Sequence, residues 1–371
     1  MSNSGTLGRK NRIKRFFTIL GIALGVILAL AIAYLLYVIA FYHRFPDNQV
    51  LEIVSAADAE AEIGDKVPTE VELTIVTYNV GFGAYSPDYT FFMDGGKSSW
   101  AKSKESATNL ITGAGELSLS FEPDFVLLQE IDIDSTRTYH LDELALLRTK
   151  LSQYENSFAQ NYDSPYLLYP FYEPHGASKA GLAVFSKYDI TYAIRRSLPV
   201  SSDFNRLLDL DRCYSVNRIP TENGKELVLI NIHMSAYGSN PSVREGQINM
   251  FTEEMRREYE AGNYVIVGGD FNHNLRDEID PDAPGWAQRF PREDLPDGFS
   301  LAFDVCQGET DIAHNTGRAS EVPYDPATTY TVTLDGFFVS DNITVTSYHA
   351  VDTGYLYSDH DPVVMQFVLE E

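Results

Sequence analysis

The stretch Asn-Tyr-Val-Ile-Val-Gly-Gly-Asp-Phe-Asn, residues 263–272, decides the fold that we predict for this chain. Its first half is a run of β-branched and aromatic residues, which is typical of a buried strand. The two glycines that follow allow another element to approach the backbone closely. Asp270 and Asn272 alternate around Phe271, so their polar side chains should share one side of the chain. The stretch therefore predicts a buried strand that ends in polar groups at the edge of a sheet.

The same pattern, an apolar strand that ends in polar residues, recurs between residues 71 and 369. We predict strands over 71–80, 124–131, 181–186, 226–234, 263–271, 334–340, 343–351 and 361–369. Helices are predicted at roughly 100–118, 138–154 and 242–260, the last from Ile248, Phe251 and Met255 at helical spacing. Strands separated by helices and long loops indicate an α/β fold in which two sheets pack face to face, with helices outside.

The polar residues at the strand ends are of one chemical kind. They are Asn79, Glu130, His233, Asp270 with Asn272, Asp335, and Ser358-Asp359-His360. Taken alone, Asn79 is typical of a turn and His233 of a satisfied core histidine. A carboxylate such as Glu130 at the end of a buried strand needs a partner or a metal. Together they supply the oxygen ligands, the base and the hydrogen-bond donors that metal-assisted phosphoester hydrolysis requires.

In this order, the motifs resemble those of the endonuclease/exonuclease/phosphatase superfamily. That group includes deoxyribonuclease I, abasic-site endonucleases, neutral sphingomyelinases and inositol polyphosphate 5-phosphatases. The resemblance covers about residues 71–369 and implies a four-layer α/β sandwich, in which two packed mixed β-sheets are flanked by helices. It also implies a metal-dependent phosphoester hydrolase with one active site at the sheet edges.

The resemblance implies a role for each polar residue. The metal ligands would be Asn79, Glu130 and Asp359. The phosphate would contact Asn79, His233, Asn272 and His360. In catalysis, His233 would protonate the leaving group, Asp270 and Asn272 would position the water and stabilise the phosphate, Asp335 would orient His360, and His360 would act as general base or phosphate ligand.

The chain departs from the family pattern at one position, because some members carry an aspartate where this chain has Gly81. A carboxylate from that position is therefore not available to a metal. We expect Mg²⁺ as the cofactor because the site is rich in oxygen ligands, and Mn²⁺ as a possible substitute. Weaker candidates for substrate contacts are Lys179, Lys187, Arg206, Arg212, Arg218, Arg244 and Gln247.

The first 70 residues predict attachment to a membrane. Residues 1–15 form a basic tail, and residues 16–42 form an uncharged run long enough to span a bilayer as a helix. The positive-inside rule makes the tail cytoplasmic and residues 45–371 extracellular, in a single-pass protein of the cell membrane. A cleaved signal peptide is the alternative, although its apolar region is normally shorter, about 7–15 residues. Residues 43–70 are expected to be a linker and 71–371 the catalytic domain.

The net charge of the domain narrows the class of substrate that we expect. The first 44 residues hold six basic residues and no acidic one, which leaves 22 Lys and Arg against 53 Asp and Glu in residues 45–371, a net charge of −31. Such a domain does not bind nucleic acid by bulk electrostatics. We expect a lipid headgroup or small phosphoester as substrate, and the bilayer as a partner through the helix; no protein partner is inferred.

Two alternative functions stay open. The first is an extracellular nuclease, because deoxyribonuclease I is itself acidic. The second is a non-catalytic binding module on the same scaffold, which the complete motif set disfavours. A lipid enzyme should carry an exposed apolar loop near its site, and residues 164–172, Ser-Pro-Tyr-Leu-Leu-Tyr-Pro-Phe-Tyr, are the candidate, although they are equally typical of core packing.

Overall fold

The computed structural model of the chain describes residues 4–200, 210–235, 241–277, 284–285 and 287–371. It divides into two units, Met1–His43 and Arg44–Glu371. The first unit contains helix α1, Ser4–Phe41. Its part Arg12–Phe41 contains an 18-residue stretch with a mean hydropathy of 2.8, so it is long and apolar enough for a membrane span or a signal sequence. The predicted apolar helix is therefore present and begins earlier than residue 16.

The second unit is a mixed α/β domain. In its described part, the helices are α2 Lys104–Ser120, α3 Glu143–Lys150, α4 Pro241–Glu260 and α5 Ala302–Val305. The strands are β1 Gln49–Val50, β2 Ile53–Val54, β3 Glu72–Asn79, β4 Phe125–Asp132, β5 Glu155–Asp163, β6 Lys179–Ser186, β7 Tyr192–Ser197, β8 Cys213–Pro220, β9 Glu226–His233, β10 Tyr264–Asp270, β11 Phe299–Leu301, β12 Glu309–Asp311, β13 Gly317–Arg318, β14 Thr331–Val332, β15 Asp335–Ser340, β16 Ile343–Ala350 and β17 Val363–Leu369.

Most of these strands belong to two mixed sheets, which we call sheet A and sheet B. Sheet A has the order β1-β7-β8-β9-β10-β15-β11, and sheet B has the order β12-β16-β17-β3-β4-β6-β5-β2. Strands β9 and β10 are parallel in sheet A, and β3 and β4 are parallel in sheet B. Most other neighbours are antiparallel, as between β10 and β15 or β17 and β3.

Three apolar clusters separate four layers. The central cluster packs sheet B residues such as Ile75 and Leu127 against sheet A residues such as Leu229 and Ile266. The other face of sheet A packs against α4, and the other face of sheet B packs against α2 and α3. Burial on both faces explains why the central strands are continuous apolar runs. The predicted four-layer sandwich is confirmed.

Helix α3 is shorter than the predicted 138–154 because its ends are defined locally. The side chain of Asp142 caps its first turn by accepting a hydrogen bond from the amide of Ala145 at 2.9 Å. The helix ends at Lys150, and strand β5 begins at Glu155. The prediction therefore located the helix but extended it too far in both directions.

Part of the predicted linker, residues 43–70, is built into the domain. Gln49 and Val50 pair with β7 in sheet A, and Ile53 and Val54 pair with β5 in sheet B. Between and beyond these short strands, Leu51 and Val67 are buried in the central cluster. Two-residue strands are too short to produce a sequence period, so the segment resembles a linker in the sequence although it packs as part of the sandwich.

The two glycines of residues 263–272 have separate structural reasons. A Cβ atom on Gly268 would lie 2.6 Å from the ring of Phe337 and 2.7 Å from Leu127, so a side chain there would separate the two sheets. Gly269 has φ +145°, and a Cβ atom there would lie 2.0 Å from the carbonyl oxygen of Ile232. The close packing expected at these glycines is therefore present.

This geometry makes a stability prediction. Gly269→Ala should lower the free energy of unfolding by about 3 kcal/mol or more, because it combines an unfavourable φ with a backbone clash. Gly224→Ala is the matched control: Gly224 has φ +84° but no atom within 4 Å of its Cβ position, so only the φ cost of about 1 kcal/mol is expected. Urea unfolding of the two variants in detergent measures their free energies of unfolding. Equal losses of stability would contradict a backbone clash at Gly269.

Candidate active site

The site lies at one edge of the sandwich because the strands of its two parallel pairs end there. Asn79 and Glu130 come from the carboxyl ends of β3 and β4 in sheet B. His233 and Asp270 come from the carboxyl ends of β9 and β10 in sheet A and are register partners. Side chains at the carboxyl ends of parallel strands converge on one crevice.

Glu130 is directed into this crevice by an irregularity in β4. The register between β4 and β6 shifts between Leu128 and Ile131, which marks a β-bulge. Glu130 itself has φ +58°, a conformation that costs a non-glycine residue free energy. Bulges and positive φ values of this kind redirect side chains at functional sites.

Asp270 is the central acceptor of the site. Its Oδ2 accepts hydrogen bonds from Nδ2 of Asn79 at 2.9 Å and from Nδ2 of Asn272 at 3.2 Å. Its Oδ1 accepts from the backbone amide of Asn272 at 2.8 Å. Asn272 has φ +49° and also donates to the carbonyl of Met234 at 2.9 Å. Asn272 is therefore held beside Asp270, as the alternation in the sequence predicts.

Two polar links tie the sheets together at and beneath the site. The Asn79–Asp270 bond joins sheet B to sheet A, and Asn79 also donates to Oε1 of Glu130 at 3.2 Å. Beneath it, Nε2 of Gln129 donates to Oδ1 of Asn231 at 2.7 Å, and both residues are fully buried. The positions of Asn79 and Asp270 are therefore set by buried hydrogen bonds as well as by backbone pairing.

A carboxylate–imidazole pair forms the second part of the site. Oδ2 of Asp335, the register partner of Asp270 in β15, lies 2.7 Å from Nδ1 of His360. Nε2 of His360 points back toward Asp270 and lies 3.7 Å from its Oδ2. The pairing fixes the imidazole ring and leaves Nε2 directed at the crevice.

Burial raises the pKa values of the carboxyl groups in the crevice. The pKa of Glu130 rises to about 7 through burial and the nearby charge of Asp359. Burial also raises the pKa of Asp270 to about 6, despite the opposing effect of His360, and that of Asp359 to about 6. Carboxyl groups whose charged forms are disfavoured in this way are stabilised by a cation placed among them.

The two histidines are shifted in opposite directions. Burial holds the pKa of His233 well below its usual value, and the charges of Arg212 and His360 add to this, so its ring is neutral. Burial alone would also lower the pKa of His360, but the carboxylates of Asp335 and Asp270 outweigh it and hold that pKa well above the usual value. Without a metal, the site therefore contains a neutral imidazole and an imidazolium.

The residues fit a divalent cation. Ligand atoms of Glu130, His233 and Asp270 all lie within 4.8 Å of one another, with Nε2 of His233 at 3.7 Å from Oε1 of Glu130 and 3.5 Å from Oδ2 of Asp270. Nδ1 of His233 is buried and has no hydrogen-bond partner among the described residues. The buried carboxylates and the carboxamide of Asn79 supply the oxygen donors that Mg²⁺ and Mn²⁺ prefer.

The predicted site residues do not all meet in one group. Glu130, His233 and Asp270 form one group, and Asp270, Asp335 and His360 form a second group that shares Asp270. Asp359 is not part of either group, although its charge reaches Glu130, and its role as a metal ligand stays a prediction.

The atoms around Gly81 show why this chain has no room for the aspartate that some family members carry at this position. It has φ +53°, and a Cβ atom on it would lie 2.8 Å from Oγ of Ser358 and 3.0 Å from Oδ1 of Asp359. A side chain at this position would therefore collide with the Ser358-Asp359 motif. The space that an aspartate would need is occupied by these two residues.

Sequence reasoning missed residues that hold the site from beneath. Arg137 forms two hydrogen bonds with the buried carboxylate of Asp132, at 2.9 and 2.8 Å, and its charge lowers the pKa of Glu130. No sequence motif marks Thr316 as part of the site. Its Oγ1 nevertheless accepts hydrogen bonds from the backbone amides of Leu334 and Asp335. The position of Asp132, two residues after Glu130 on the same strand, was the available signal.

The weaker candidates for substrate contacts lie in different environments. Gln247 is fully buried and bonds to Ser235, two residues after His233, so it supports this loop and is not part of a solvated helix face. Arg212 is buried and donates to the carbonyl of Met234 at 2.9 Å. Arg218 pairs with Glu226 and Glu258, on the side of α4. Arg206 lies outside the described residues.

Solved structures share this fold at low sequence identity. An endonuclease/exonuclease/phosphatase protein from Beutenbergia cavernae has 18% identity and a TM-score of 0.55, with 81% of this chain and 72% of that chain covered. One from Bacteroides vulgatus has 16% identity and a TM-score of 0.53, covering 81% and 100%. A mannosyl-6-phosphatase from Bacteroides thetaiotaomicron has 16% identity and a TM-score of 0.51, covering 80% and 99%.

The sequence comparisons give the family. No curated protein sequence matches the chain. The family model described as Endonuclease/Exonuclease/phosphatase family matches residues 76–360, a range that begins within β3 and ends at His360. The chain therefore belongs to the endonuclease/exonuclease/phosphatase family, whose members are hydrolases of phosphoesters.

Proposed function

We propose that this protein is a divalent-metal-dependent phosphoester hydrolase, anchored in the cell membrane by α1, with its active site outside the cell. The observation that carries the proposal is the crevice in which Glu130, His233 and Asp270 present ligand atoms within 4.8 Å of one another. Their neighbour His360, held by Asp335 at 2.7 Å, adds a directed positive charge. The basic residues before the apolar run support a cytoplasmic N-terminus.

Each residue has a proposed task in the reaction. Mg²⁺ or Mn²⁺, when bound by Glu130 with Asn79 and Asp359 as further candidate ligands, supplies the positive charge that polarises the phosphate. Asp270 accepts the proton of the attacking water, because its pKa of about 6 leaves it ionised at neutral pH and basic enough to act. Asn272 holds Asp270 in place through its backbone amide and Nδ2, and its Nδ2 would exchange one of its two present bonds to donate to a phosphate oxygen.

The two histidines take different parts in this proposal. His360 is protonated, so it stabilises the negative charge that develops on the phosphate, and the role of general base passes to Asp270. His233 is neutral and buried, and its Nε2 faces the crevice, where it contacts a phosphate oxygen or the leaving group. Asp335 is a positioning residue that fixes the ring of His360.

The first test is activity with and without metal. The full chain in detergent should hydrolyse bis(p-nitrophenyl) phosphate or p-nitrophenyl phosphate with Mg²⁺ or Mn²⁺ and lose this activity in EDTA. Asp270→Ala and His360→Ala should each lower kcat/KM by about a hundredfold or more, because they remove the base and a transition-state donor. Glu222→Ala, an exposed carboxylate in the turn before β9, is the control and should stay near wild type.

The outcome also separates the alternative functions. Full activity in EDTA, or in either site variant, would refute the mechanism, and a binding module would show no activity in any condition. A substrate panel of plasmid DNA, RNA, sphingomyelin, phosphatidylinositides, inositol phosphates and a sugar phosphate then assigns the substrate class. Selective cleavage of DNA would favour the nuclease alternative over a lipid headgroup or small phosphoester.

The second test is the pH dependence of metal binding. The pKa values of Glu130, about 7, and Asp270, about 6, lie above the usual range for carboxyl groups. Below these values the groups carry protons that a cation must displace, so the affinity for Mn²⁺ should fall as the pH decreases from 8 to 5.5. Titration calorimetry at several pH values measures the affinity and the protons released.

A matched variant isolates the contribution of Glu130. Glu130→Gln keeps the size of the side chain but removes its ionisation, so it should weaken Mn²⁺ binding at pH 8 and flatten the pH dependence between 6 and 8. An affinity for Mn²⁺ that does not change between pH 5.5 and 8 in the wild-type protein would be inconsistent with metal binding by these carboxylates.

A further inference from the structure

Large apolar side chains are concentrated on loops at the active-site edge of the domain. In residues 164–172, Phe171 is 83% exposed, Tyr172 68% and Tyr169 63%. Tyr166 and Leu168 of the same segment are also exposed, and Met93, Val322 and Leu356 are further exposed apolar residues of the domain. An apolar surface of this kind on a soluble domain indicates an interaction with a partner or a membrane. Both interpretations of residues 164–172 hold in part: Leu167 is buried, whereas Tyr169, Phe171 and Tyr172 are exposed.

The loop that carries these residues starts and ends beside the catalytic carboxylates. It leaves β5 at Asp163 and returns to β6 at Lys179, which is paired with Asp163. The next residue, Ala180, is paired with Asp132, two residues after Glu130. The loop therefore projects from the same edge of sheet B as the site.

Contacts with the loop that follows Asn79 hold the exposed segment in position. The carboxylate of Glu173 accepts from the backbone amide of Ser99 at 2.7 Å, and the hydroxyl of Tyr172 donates to the carbonyl of Lys97 at 2.7 Å. The exposed rings are thus presented by a segment with defined hydrogen bonds.

A row of aromatic rings connects the exposed loop to the site. The ring of Tyr169 lies 5.8 Å from Phe92, which lies 4.9 Å from Phe91, and Phe91 lies 5.8 Å from Tyr85. Cδ2 of Tyr85 approaches the Cβ position of Gly81 to 2.8 Å, on the side where Asp359 lies. Phe91 and Tyr85 are buried, so the exposed loop is connected to the residues beside Asp359 through packed rings in the interior.

The segment that follows the apolar helix is fastened to the same edge. Oδ1 of Asp211 accepts from Arg44 at 2.9 Å, and its Oδ2 accepts from the backbone amide of Phe45 at 2.7 Å. Arg195, which is fully buried, donates to the carbonyl and the carboxylate of Asp211. Asp47 accepts from the backbone amide of Ser197 at 2.9 Å. Residues 44–47 are thus held by the end of β7.

Strand directions identify this end of β7 with the active-site edge. Ser197 is paired with Cys213, and Tyr214 is paired with Ile232, the residue before His233. The end of β7, the start of β8 and the end of β9 therefore lie at one edge of sheet A. Adjacent strands are about 4.8 Å apart, so β7 lies about 10 Å from β9 along the sheet.

Chain length then limits where this edge can be if α1 spans the membrane. The helix ends at Phe41, and the fastened segment begins at Arg44. Three Cα–Cα steps extend at most about 11 Å. If α1 spans the membrane, the chain therefore leaves the bilayer by no more than about 11 Å before it reaches the residues held at this edge, an argument that rests on the membrane anchor of the proposed function.

We propose that the active-site edge faces the bilayer, that residues 164–172 insert their aromatic side chains into the lipid–water interface, and that the substrate is a phosphoester at that surface. No residue between 164 and 172 is charged, and the segment contains three tyrosines and a phenylalanine. Tyrosine is favoured at membrane interfaces because its ring is apolar and its hydroxyl remains hydrated. The exposed rings dock the edge, and their packing through Phe92 and Phe91 onto Tyr85 holds the docked loop in a fixed position beside the site.

Site-directed spin labelling of the full chain tests this arrangement. The Phe171→Cys variant, in a Cys306→Ser background that removes the half-buried thiol, is labelled with a nitroxide and reconstituted into phosphatidylcholine vesicles. The label should be accessible to O₂ and protected from a water-soluble nickel chelate, as expected for a side chain in the interface. Val71→Cys is the matched control: Val71 is 49% exposed but precedes β3, at the opposite edge, and its label should be accessible to the nickel chelate.

The outcomes separate this inference from the proposed function. Equal accessibility of both labels to the nickel chelate would refute the docking of this edge. Dipolar broadening of the Phe171 label that disappears on dilution with unlabelled protein, together with protection that is lost when the ratio of protein to lipid is lowered, would assign the surface to a second copy of the chain and also refute the docking. The same vesicles are assayed with bis(p-nitrophenyl) phosphate, so hydrolysis without insertion refutes only the docking, and insertion without hydrolysis refutes only the proposed hydrolase.

Discussion

The hydrogen bond from Asn79 to Asp270 is the interaction on which the site depends, because it joins the two sheets where their parallel strands end. The Gln129–Asn231 bond repeats the link one layer deeper. A sandwich held only by apolar contacts tolerates small shifts between its sheets, whereas buried polar groups lose their partners if the sheets move. The spacing between Glu130 from one sheet and His233 from the other is therefore fixed by the fold.

Burial of so many ionisable groups has a cost that the scaffold offsets locally. Asp335 is paired with His360, and Asp132 with Arg137, so these charges are compensated inside the protein. Glu130 and Asp270 receive hydrogen bonds from Asn79 but keep raised pKa values, so their compensation is incomplete. Groups whose charge the protein compensates only in part are candidates for function, because a bound ligand can supply the missing compensation. This difference in charge compensation distinguishes the ion pairs that support the site from Glu130 and Asp270, which lie where a cation would bind.

The sequence predicted the central strands because burial on both faces makes them continuous apolar runs, as in β4, β9 and β10. It did not predict β5, β7 and β8, whose buried faces contain polar residues. Ser157 of β5 donates to Asn217 of β8 at 2.5 Å across the sheets. Arg195 of β7 is buried, and its guanidinium donates to the carboxylate of Asp211. Such residues are typical of exposed strands in a sequence, because their partners are distant in the chain. The site residues were found because the resemblance supplied the long-range order that periodicity lacks.

Asp270 belongs to both groups of ligand atoms, and this links the cation to the proton on His360. In the absence of a cation, the charges of Asp335 and Asp270 hold the pKa of His360 high. A cation bound by Glu130, beside Asp270, would oppose this effect, since it offsets the negative charge that His360 experiences. Asp335 is not part of the group that contains Glu130, so we expect its 2.7 Å contact with His360 to persist when a cation is bound. Asp335 would thereby preserve the orientation of His360 while Asp270 accepts a proton from the attacking water.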